Sequence, residues 1–258
     1  MDSAHDDLPR STQFFALVDA GQLLHLKFSV RELLPMTPIA LIFEESFAKS
    51  ALYLSPLLLQ LDASKEVCVQ ELLILDRSCH SLPVLAILQS AQSLSELAFH
   101  LRSALLIEAD DSAYLFRFAD SQMLVAMNSV LTPAQRSRLF TGVQAWWTVN
   151  YLGGLDNAAD HSRYRQAEPQ PGLPIKLDTA QIHRLLGAVS GPVLASQLRN
   201  LDPSFARDLS HSRQTAFAAE CAEAGNEAGI DDESELTSLA FQRWNSRSSL
   251  LQPAAENL

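Results

Sequence analysis

Apolar residues in the first 150 positions come in short runs separated by polar, glycine or proline breaks, a pattern typical of mixed α/β proteins. The run FFALVDA at 14–20 predicts a buried strand and a turn, and VLAIL at 84–88 predicts a second strand. The run ELLILDR at 71–77 also resembles a buried strand, although leucine and glutamate favour helix as well. Periodicity does not separate strand from helix in PIALIFEES at 38–46 or ALYLSPLLLQL at 51–61.

Polar residues in front of two apolar stripes predict helix starts. Ser93 and Glu96 form a capping-box pair before a helix over 94–107, in which leucines recur at three- and four-residue spacing. The tetrapeptide TPAQ at 132–135 combines a threonine cap, a proline at the first helical position and a glutamine at the third. A last strand is predicted in VQAWWTVN at 143–150.

The stretch YLFRFADSQML at 114–124 places an arginine inside an apolar run. A strand over about 113–118 would put three aromatic side chains on the face opposite Arg117, namely those of Tyr114, Phe116 and Phe118. Arg117 could then pair with a carboxylate such as Asp19 or Asp120, or lay its stem over an aromatic ring. Asp120 suits the N-cap of a following helix. A structural ion pair and a cap are the simplest interpretation of this stretch.

The amino-acid composition of the chain changes after residue 152. Residues 153–177 are polar and rich in glycine and proline, and Asp178 suits the cap of a helix beyond them. Further helices are predicted over 203–223 and 232–244. The sequence therefore predicts three parts: an α/β domain over 13–152, a linker or long loop over 153–177, and an all-helical C-terminal lobe over 178–246.

Charge and cysteine content narrow the class of protein. The 258 residues carry a formal net charge of −11 and no clustered lysine or arginine run, which argues against nucleic acid as a partner. The three cysteines are widely spaced and odd in number, as free thiols in a reducing compartment would be. The polar, acidic N-terminus resembles no signal peptide, and no apolar run reaches the roughly 18–20 residues that membrane insertion requires. We therefore expect a cytoplasmic protein.

The sequence contains no recognisable catalytic or cofactor-binding motif. Nucleophile-elbow, Walker A, dinucleotide-binding and zinc-protease patterns are absent, and Cys79-His80 has no second pair at metal-ligand spacing. The acidic pair Asp110-Asp111 is more typical of a solvated turn than of catalysis. The acidic stretch from Glu220 to Glu235 is either a solvated surface or a docking face for a basic partner. We expect no metal site and no cofactor.

The segment YLFRFADSQMLVAMNSVLTPAQRSRLF at 114–140 resembles the strand–helix–helix core of the adaptor proteins of bacterial type VI secretion, known as Tap or TEC proteins. That family carries an F-R-F/Y-x-D-P-like motif and an L-x-P-E-Q-like helix start. Arg117, Phe118 and Asp120 match the first motif, whereas Ser121 stands where proline is common, and alanine–glutamine replaces glutamate–glutamine in the second.

Other segments resemble the family in the same order, so that the resemblance covers about residues 13–150. FFALVDAG, which contains Asp19, is similar to the first strand, and YLSPLLLQLD is similar to a P-Y-L-V-x-L segment. SLSELAFHLRSALLIEADDS is similar to the helix before the arginine motif, and Trp146 or Trp147 to a closing tryptophan. The resemblance implies structural roles for five motif residues: Asp19, Arg117, Phe118, Asp120 and Trp146.

The resemblance also implies a non-catalytic adaptor or chaperone that binds a toxic effector and helps load it onto the VgrG spike. We expect partner binding at an apolar groove between the lobes and on the exposed face of helices over 203–244. Five apolar residues of those helices are the candidate partner contacts: Phe205, Leu209, Phe217, Leu236 and Trp244. Two alternatives remain open, namely an immunity protein whose acidic stretch masks a toxin and, less favoured, a hydrolase that uses Cys79 or the carboxylates.

Overall fold

The apolar run near the start of the chain forms an inner strand of a six-stranded antiparallel sheet. The computed structural model describes residues 12–23, 32, 34–79, 84–109, 112–149, 155–160, 174–230 and 232–251. The sheet has the order β2-β3-β1-β4-β7-β8. Its strands are β1 (Gln13–Val18), β2 (Ile39–Leu41), β3 (Leu57–Gln60), β4 (Leu85–Ser90), β7 (Val143–Val149) and β8 (Leu155–Asp160). The strands predicted at 14–20, 84–88 and 143–150 are therefore confirmed.

A second, three-stranded sheet has the order β6-β5-β9. It consists of β5 (Leu106–Ala109), β6 (Ser112–Leu115) and β9 (Ile175–Lys176). β5 pairs with β6 in antiparallel and with β9 in parallel orientation. All four residues of β6 are exposed, so this strand forms an open edge of the smaller sheet.

Both faces of β1 are covered by other parts of the chain, since Phe15, Ala16, Leu17 and Val18 are all fully inaccessible. On one face, Leu75 packs with Ala16, Val18 and Leu59. The helices before residue 150 are α1 (Ala20–Leu23), α2 (Lys65–Cys79), α3 (Leu94–Ser103), α4 (Ser121–Val130) and α5 (Pro133–Leu139). The predicted caps of α3, α4 and α5 are all present, at Ser93, Asp120 and Thr132.

Three boundaries in this region differ from prediction. Residues 71–77 belong to helix α2, not to a strand, and Glu71 in that helix accepts hydrogen bonds from Thr37 Oγ1 at 2.6 Å and from Asp62 N at 2.9 Å. The helix predicted over 94–107 ends at Ser103, because the chain turns there and enters β5. The strand predicted over 113–118 ends at Leu115, and residues 118–120 form a turn.

Because β6 ends at Leu115, the aromatic side chains of this stretch do not all lie on one face of a strand. Phe116 and Phe118 are both buried, but Tyr114 is exposed over 54% of its surface, so the three do not lie on one face as predicted. Arg117 lies in the turn between β6 and α4, where its side chain is half-exposed.

The apolar runs that periodicity left undecided mix extended and helical structure. Residues 38–46 contain β2 followed by turns, and residues 51–61 contain the end of a 3₁₀ segment (Lys49–Leu54) followed by β3.

The predicted linker over 153–177 contains two strands. β8 pairs with β7 and β9 pairs with β5, so these segments extend the two sheets. Residues 161–173 lie outside the described residues.

The chain divides into two compact units, Met1–Ile182 and His183–Leu258. The second unit is helical, which confirms the prediction of an α/β N-terminal region followed by an all-helical C-terminal region. The helices from residue 179 onward are α6 (Thr179–Leu201), α7 (Pro203–Asp208), α8 (His211–Glu227) and α9 (Glu233–Leu251). Asp178 Oδ1 accepts a hydrogen bond from Gln181 N at 2.7 Å, as predicted for the cap of α6. Among the described helices, none combines the length and apolar content needed to cross a membrane.

The single helix predicted over 203–223 is two helices. Leu209 has extended backbone angles, φ −121° and ψ 138°, and separates α7 from α8. Gln214 fixes the break, since its Nε2 donates to the carbonyl oxygen of Leu209 at 2.7 Å.

The candidate partner contacts form the core of the second unit. Phe205, Phe217 and Trp244 are almost completely buried, and Leu209 and Leu236 pack against them. The rings of Phe205 and Phe217 lie 5.1 and 6.1 Å from that of Trp244, centroid to centroid. Phe205, Phe217 and Trp244 therefore hold the helices together, and their burial argues against direct contact with a partner. Leu209 and Leu236 are only partly buried.

Candidate functional site

Four polar residues from two distant parts of the chain meet at one end of a groove in the first unit. Arg117 Nη2 lies 3.1 Å from Asp19 Oδ2 and 3.6 Å from Asp120 Oδ2. Gln22 Nε2 donates to the same two carboxylates, at 3.0 Å to Asp19 and 3.3 Å to Asp120. We call Asp19, Gln22, Arg117 and Asp120 the motif cluster. The pairing of Arg117 with a carboxylate is confirmed, and it involves both candidate partners.

Local structure explains why the two carboxylates face each other. Asp19 directly follows β1, and its Oδ1 accepts a hydrogen bond from Gly21 N at 3.2 Å. Asp120 Oδ1 accepts from Gln122 N at 3.0 Å and from Met123 N at 3.2 Å, which are among the backbone donors that lack a partner within the first turn of α4. Asp19 thus follows the end of β1, Asp120 precedes the start of α4, and Arg117 and Gln22 connect the two carboxylates.

Burial dominates the electrostatics of Asp120. Desolvation raises the pKa of its carboxyl above the ordinary value of 3.8. The backbone N–H groups of Met123 and Gln122 and the charge of Arg117 oppose that rise, while the charge of Asp19 adds to it. The cluster contains two carboxylates and one guanidinium, so its charge is net negative when all three groups are ionised.

An aromatic layer lies behind the motif cluster. The rings of Phe118 and Phe140 meet that of Trp146 edge to face, with centroids 6.2 and 5.8 Å away. Phe116 contacts Phe118 in the same way at 5.8 Å. All four rings are fully buried, so Phe118 and Trp146 fix the base of the turn that carries Arg117.

A groove of about 640 Å³ opens beside the motif cluster. Asp19, Gln22 and Arg117 form its polar end. The remaining lining is mainly apolar and comes from α1, from the segment before β3, and from the end of β6 with the turn that follows it: Gly21, Phe43, Ala51, Leu54, Pro56, Leu115, Phe116 and Ala119. A cavity of this size and composition suits an apolar group that also meets a few polar contacts.

Sequence reasoning proposed that Arg117 contacts a carboxylate such as Asp19 or Asp120, and the structure shows both contacts, but it missed Gln22 and the groove. The signal for Gln22 was its position three residues after Asp19 at a helix start, where a side chain can reach back to the preceding carboxylate. The groove had no local signal, because the loop containing Phe43 and the end of β6 are far apart in sequence.

Among the described residues that line the groove there is no serine, cysteine or histidine nucleophile. Within the described residues, no group of three or more His, Cys, Asp and Glu side chains could hold a metal ion. Burial raises the pKa of the Cys68 thiol, and the charges of Glu71 and Asp62 raise it further, which disfavours the reactive thiolate. The side chain of Cys79 lies outside the described residues.

The groove lies within the part of the chain that matches a known family model. No curated protein and no solved structure matches the chain significantly. Residues 14–138, which run from β1 into α5 and include the whole motif cluster, match a family model described as "Domain of unknown function (DUF4123)".

Proposed function

We propose that this protein is a non-catalytic adaptor of a bacterial type VI secretion system. It binds a toxic effector in the cytoplasm and helps load that effector onto the VgrG spike. The α/β unit performs the role that adaptors share, and the helical unit adapts the protein to its own cargo.

The convergence of the motif residues supports this proposal most strongly. Asp19, Arg117 and Asp120 were singled out by resemblance to type VI adaptors, and they meet in one cluster despite their separation in sequence. An independent family match covers residues 14–138, close to the extent of that resemblance. A cluster that holds a turn in place beside a mainly apolar groove is what a binding module requires.

A secretion assay in the source organism tests the adaptor role. A strain that lacks the protein is complemented with a tagged wild-type copy, and secreted and cell-associated proteins are compared by mass spectrometry. We expect one toxin-like protein to disappear from the secreted fraction of the deletion strain and to return on complementation. The tagged protein should capture that toxin together with VgrG at moderate salt.

A tagged control protein of similar net charge is needed, because a chain of charge −11 captures basic proteins by charge alone. Partners that the control also captures do not count. Normal secretion of every toxin without the protein would contradict the adaptor proposal.

A protection assay separates the immunity-protein alternative. If the captured toxin kills cells that lack the protein and spares cells that produce it, neutralisation accounts for the binding. An adaptor delivers the toxin without inhibiting it. Producing an adaptor in a target cell should therefore leave the sensitivity of that cell to the toxin unchanged. Turnover of a substrate panel that is lost in Cys79→Ala would instead indicate the hydrolase.

A further inference from the structure

Arg117 is the accessible charged group at the polar end of the groove. Its side chain is 52% exposed, whereas the side chains of Asp19 and Asp120 are only 7% and 19% exposed. Asp19 lines the groove but is nearly buried, and Asp120 is not among the lining residues. A ligand in the groove therefore meets the guanidinium of Arg117.

The bonding of the motif cluster leaves Arg117 with donors for such a ligand. Both of its contacts with the carboxylates are made by Nη2, and no described residue accepts a hydrogen bond from its Nε or Nη1. The negative charge of the cluster lies on carboxylates that are already hydrogen-bonded. Asp19 accepts from Gly21 N and Gln22 Nε2, and Asp120 accepts from two backbone N–H groups of α4. The carboxylates thus fix the guanidinium, and its remaining N–H groups are available.

A carboxylate beside an apolar group is the chemistry that matches this lining. The planar guanidinium of arginine makes charge-assisted hydrogen bonds to carboxylates. The rest of the lining is mainly apolar, and the volume of about 640 Å³ lies in the range of ligand-binding clefts. A basic ligand would instead bring its charge against the exposed guanidinium of Arg117, which is unfavourable.

The outer edge of β6 lies next to the groove, because Leu115 ends this strand and also lines the groove. β6 forms a margin of the three-stranded sheet, and all four of its residues are exposed. Phe116 N donates to Leu105 O at 2.7 Å, and the hydrogen-bonded pairs between β6 and β5 alternate from that point. Ala113 and Leu115 therefore direct their N–H and C=O groups away from β5.

Side chains occupy the other sheet margins. At each of those margins a side chain donates a hydrogen bond to a carbonyl oxygen of the edge strand: Arg102 to Leu41 of β2, Asn128 to Ala158 of β8, and Gln135 to Lys176 of β9. No described side chain makes such a bond to β6. Within the described part of the chain, β6 is therefore the margin open to an added strand.

Strand geometry brings the groove and Arg117 within reach of one added segment. Alternate side chains of a strand point to the same face and lie about 7 Å apart. Arg117 follows Leu115 by two residues. A segment paired with Ala113 and Leu115 can therefore direct one side chain into the groove and the side chain two positions along towards Arg117.

We propose that the groove binds an extended segment of another protein in which an apolar residue and an aspartate or glutamate lie two positions apart. The segment adds as a strand to the outer edge of β6, the apolar side chain enters the groove, and the carboxylate accepts hydrogen bonds from Arg117. The site does not depend on the identity of the effector, and random peptides test it without one. Failure of this site and failure of the adaptor role are therefore distinguishable.

Selection from a phage-displayed library of random peptides tests which kind of segment binds. Peptides about nine residues long span a strand and its flanks. The library is selected on the full-length wild-type protein at about 0.15 M salt, which screens the net charge of −11 beyond about 8 Å. We expect the enriched peptides to share an apolar and an acidic residue two positions apart. Failure to enrich any peptide, or enrichment of basic peptides, would overturn the proposal.

A double-mutant cycle shows whether Arg117 meets the acidic side chain. Enriched peptides are synthesised with acetylated and amidated ends, so that side chains are their only carboxylates, and affinity is measured by fluorescence anisotropy. Replacing the acidic residue by its amide should weaken binding to wild type about tenfold, because a charge-assisted pair is lost. The same replacement should change binding to Arg117→Gln by less than about twofold.

The cycle separates binding from stability, because the fold uses Nη2 of Arg117 and the ligand would use its other nitrogens. Thermal melting of Arg117→Gln measures the loss of stability, and affinity is measured well below the melting temperature. If Arg117 acted through the fold alone, the tenfold ratio between the two peptides would persist in Arg117→Gln, and the proposal would be overturned. If Arg117→Gln does not fold, equal affinity of the two peptides for wild type would overturn it instead.

Single N-methylation along an enriched peptide tests strand addition on the wild-type protein. In an added edge strand, alternate N–H groups bond to the neighbouring strand and the others point away from it. We expect N-methylation to lower affinity about tenfold at alternate positions and to have little effect at the positions between them. Equal tolerance at every position would show that the peptide does not pair with β6.

A matched pair of variants locates the apolar side chain. Ala51→Phe narrows the groove, and Ala134→Phe adds the same ring at an exposed position of α5. We expect affinity to fall about fivefold in Ala51→Phe and to stay unchanged in Ala134→Phe, and equal affinities of the two folded variants would contradict the site. A dimer in size-exclusion chromatography that Ala51→Phe abolishes would assign the groove to a second copy of this chain and overturn the proposal.

Discussion

Arg117 Nη2 lies 3.1 Å from Asp19 Oδ2, although 98 residues separate the two in sequence. The carboxylate side chain is 7% exposed, whereas the guanidinium side chain is 52% exposed. The pair therefore joins a nearly buried anion at the end of β1 to a half-solvated cation in the turn before α4. Such a contact stabilises mainly by preventing Asp19 from being left buried without a countercharge.

Replacement of Arg117 should act through folding. We expect Arg117→Ala to lower the free energy of unfolding by about 1–2 kcal/mol, less than for a fully buried pair because water screens the guanidinium. Arg117→Lys should recover part of the loss, since it restores the charge without the planar fork. Urea unfolding followed by circular dichroism gives these values.

An exposed ion pair supplies the control for Arg117. Arg207 Nε lies 3.0 Å from Asp208 Oδ1, with side chains 77% and 46% exposed. Arg207→Ala should change the free energy of unfolding by no more than about 0.5 kcal/mol. A loss of binding in Arg117→Ala at unchanged stability would show that the residue contacts a partner directly.

The raised pKa of Asp120 predicts a pH dependence of known sign. Because burial raises the pKa of the folded carboxyl above 3.8, the folded state takes up a proton at a higher pH than the unfolded state. The stabilising contribution is complete below pH 3.8 and is lost as the pH rises through the folded pKa. The free energy of unfolding of wild type, measured relative to Asp120→Asn, should therefore increase as the pH is lowered from 7 towards 4.

Asp120→Asn is the suitable reference because its side-chain oxygen can still accept from Gln122 N and Met123 N. Asp120→Ala removes this cap and should be about 1 kcal/mol less stable than Asp120→Asn at every pH, because neither variant carries the carboxyl. Parallel curves for wild type and Asp120→Asn across this pH range would contradict the assigned direction of the shift.

Caps and the motif cluster were predictable because the signals are local or strongly patterned. Ser93, Thr132 and Asp178 each accept a hydrogen bond from the backbone N–H three residues later, so a few sequence positions suffice to locate the helix start. For Arg117 inside an apolar run, a carboxylate such as Asp19 or Asp120 was one candidate contact and an aromatic ring was the other, and the structure shows contacts with both carboxylates.

The missed features depend on tertiary contacts. Helix α2 reads as an apolar run, and the hydrogen bond from Thr37 Oγ1 to Glu71 that helps to fix it joins residues 34 positions apart. The break at Leu209 depends on the side chain of Gln214. Amphipathic spacing in α8 and α9 showed which residues share a face, but it could not distinguish a core shared by neighbouring helices from a surface for a partner.

The two fully buried tryptophans should respond differently to replacement by phenylalanine. Trp244 Nε1 donates to Asp202 Oδ2 at 2.8 Å, whereas the indole N–H of Trp146 has no hydrogen-bond partner among the described residues. Both changes remove similar volume, but only Trp244→Phe loses a bond to a charged acceptor. We expect Trp244→Phe to cost about 1–2 kcal/mol more than Trp146→Phe.

Thermal unfolding of each single variant, followed by far-ultraviolet circular dichroism and by fluorescence of the remaining tryptophans, measures this difference. Trp146→Ala and Trp244→Ala serve as size controls, since each should lose about 3–5 kcal/mol from the cavity. An equal cost for the two phenylalanine variants would mean that the Asp202 bond contributes no net stability.

A charge at position 244 should unfold the second unit. Trp244 is 1% exposed and lies among Phe205, Phe217 and Ala240. An aspartate there must either remain ionised in apolar surroundings or take up a proton, and it also leaves the volume of the indole unfilled. We expect Trp244→Asp to destabilise the unit by about 4 kcal/mol or more.

Leu186→Asp provides the matched control, because Leu186 lies in helix α6 and is 60% exposed. That change should cost no more than about 1 kcal/mol, the difference in helix propensity. Limited proteolysis with mass spectrometry should show early cleavage within residues 183–251 for Trp244→Asp and wild-type resistance for Leu186→Asp. If Trp244→Asp resists cleavage like wild type but no longer binds its cargo, position 244 belongs to a surface that contacts the partner. The helices around Trp244 would then have to separate when the partner binds.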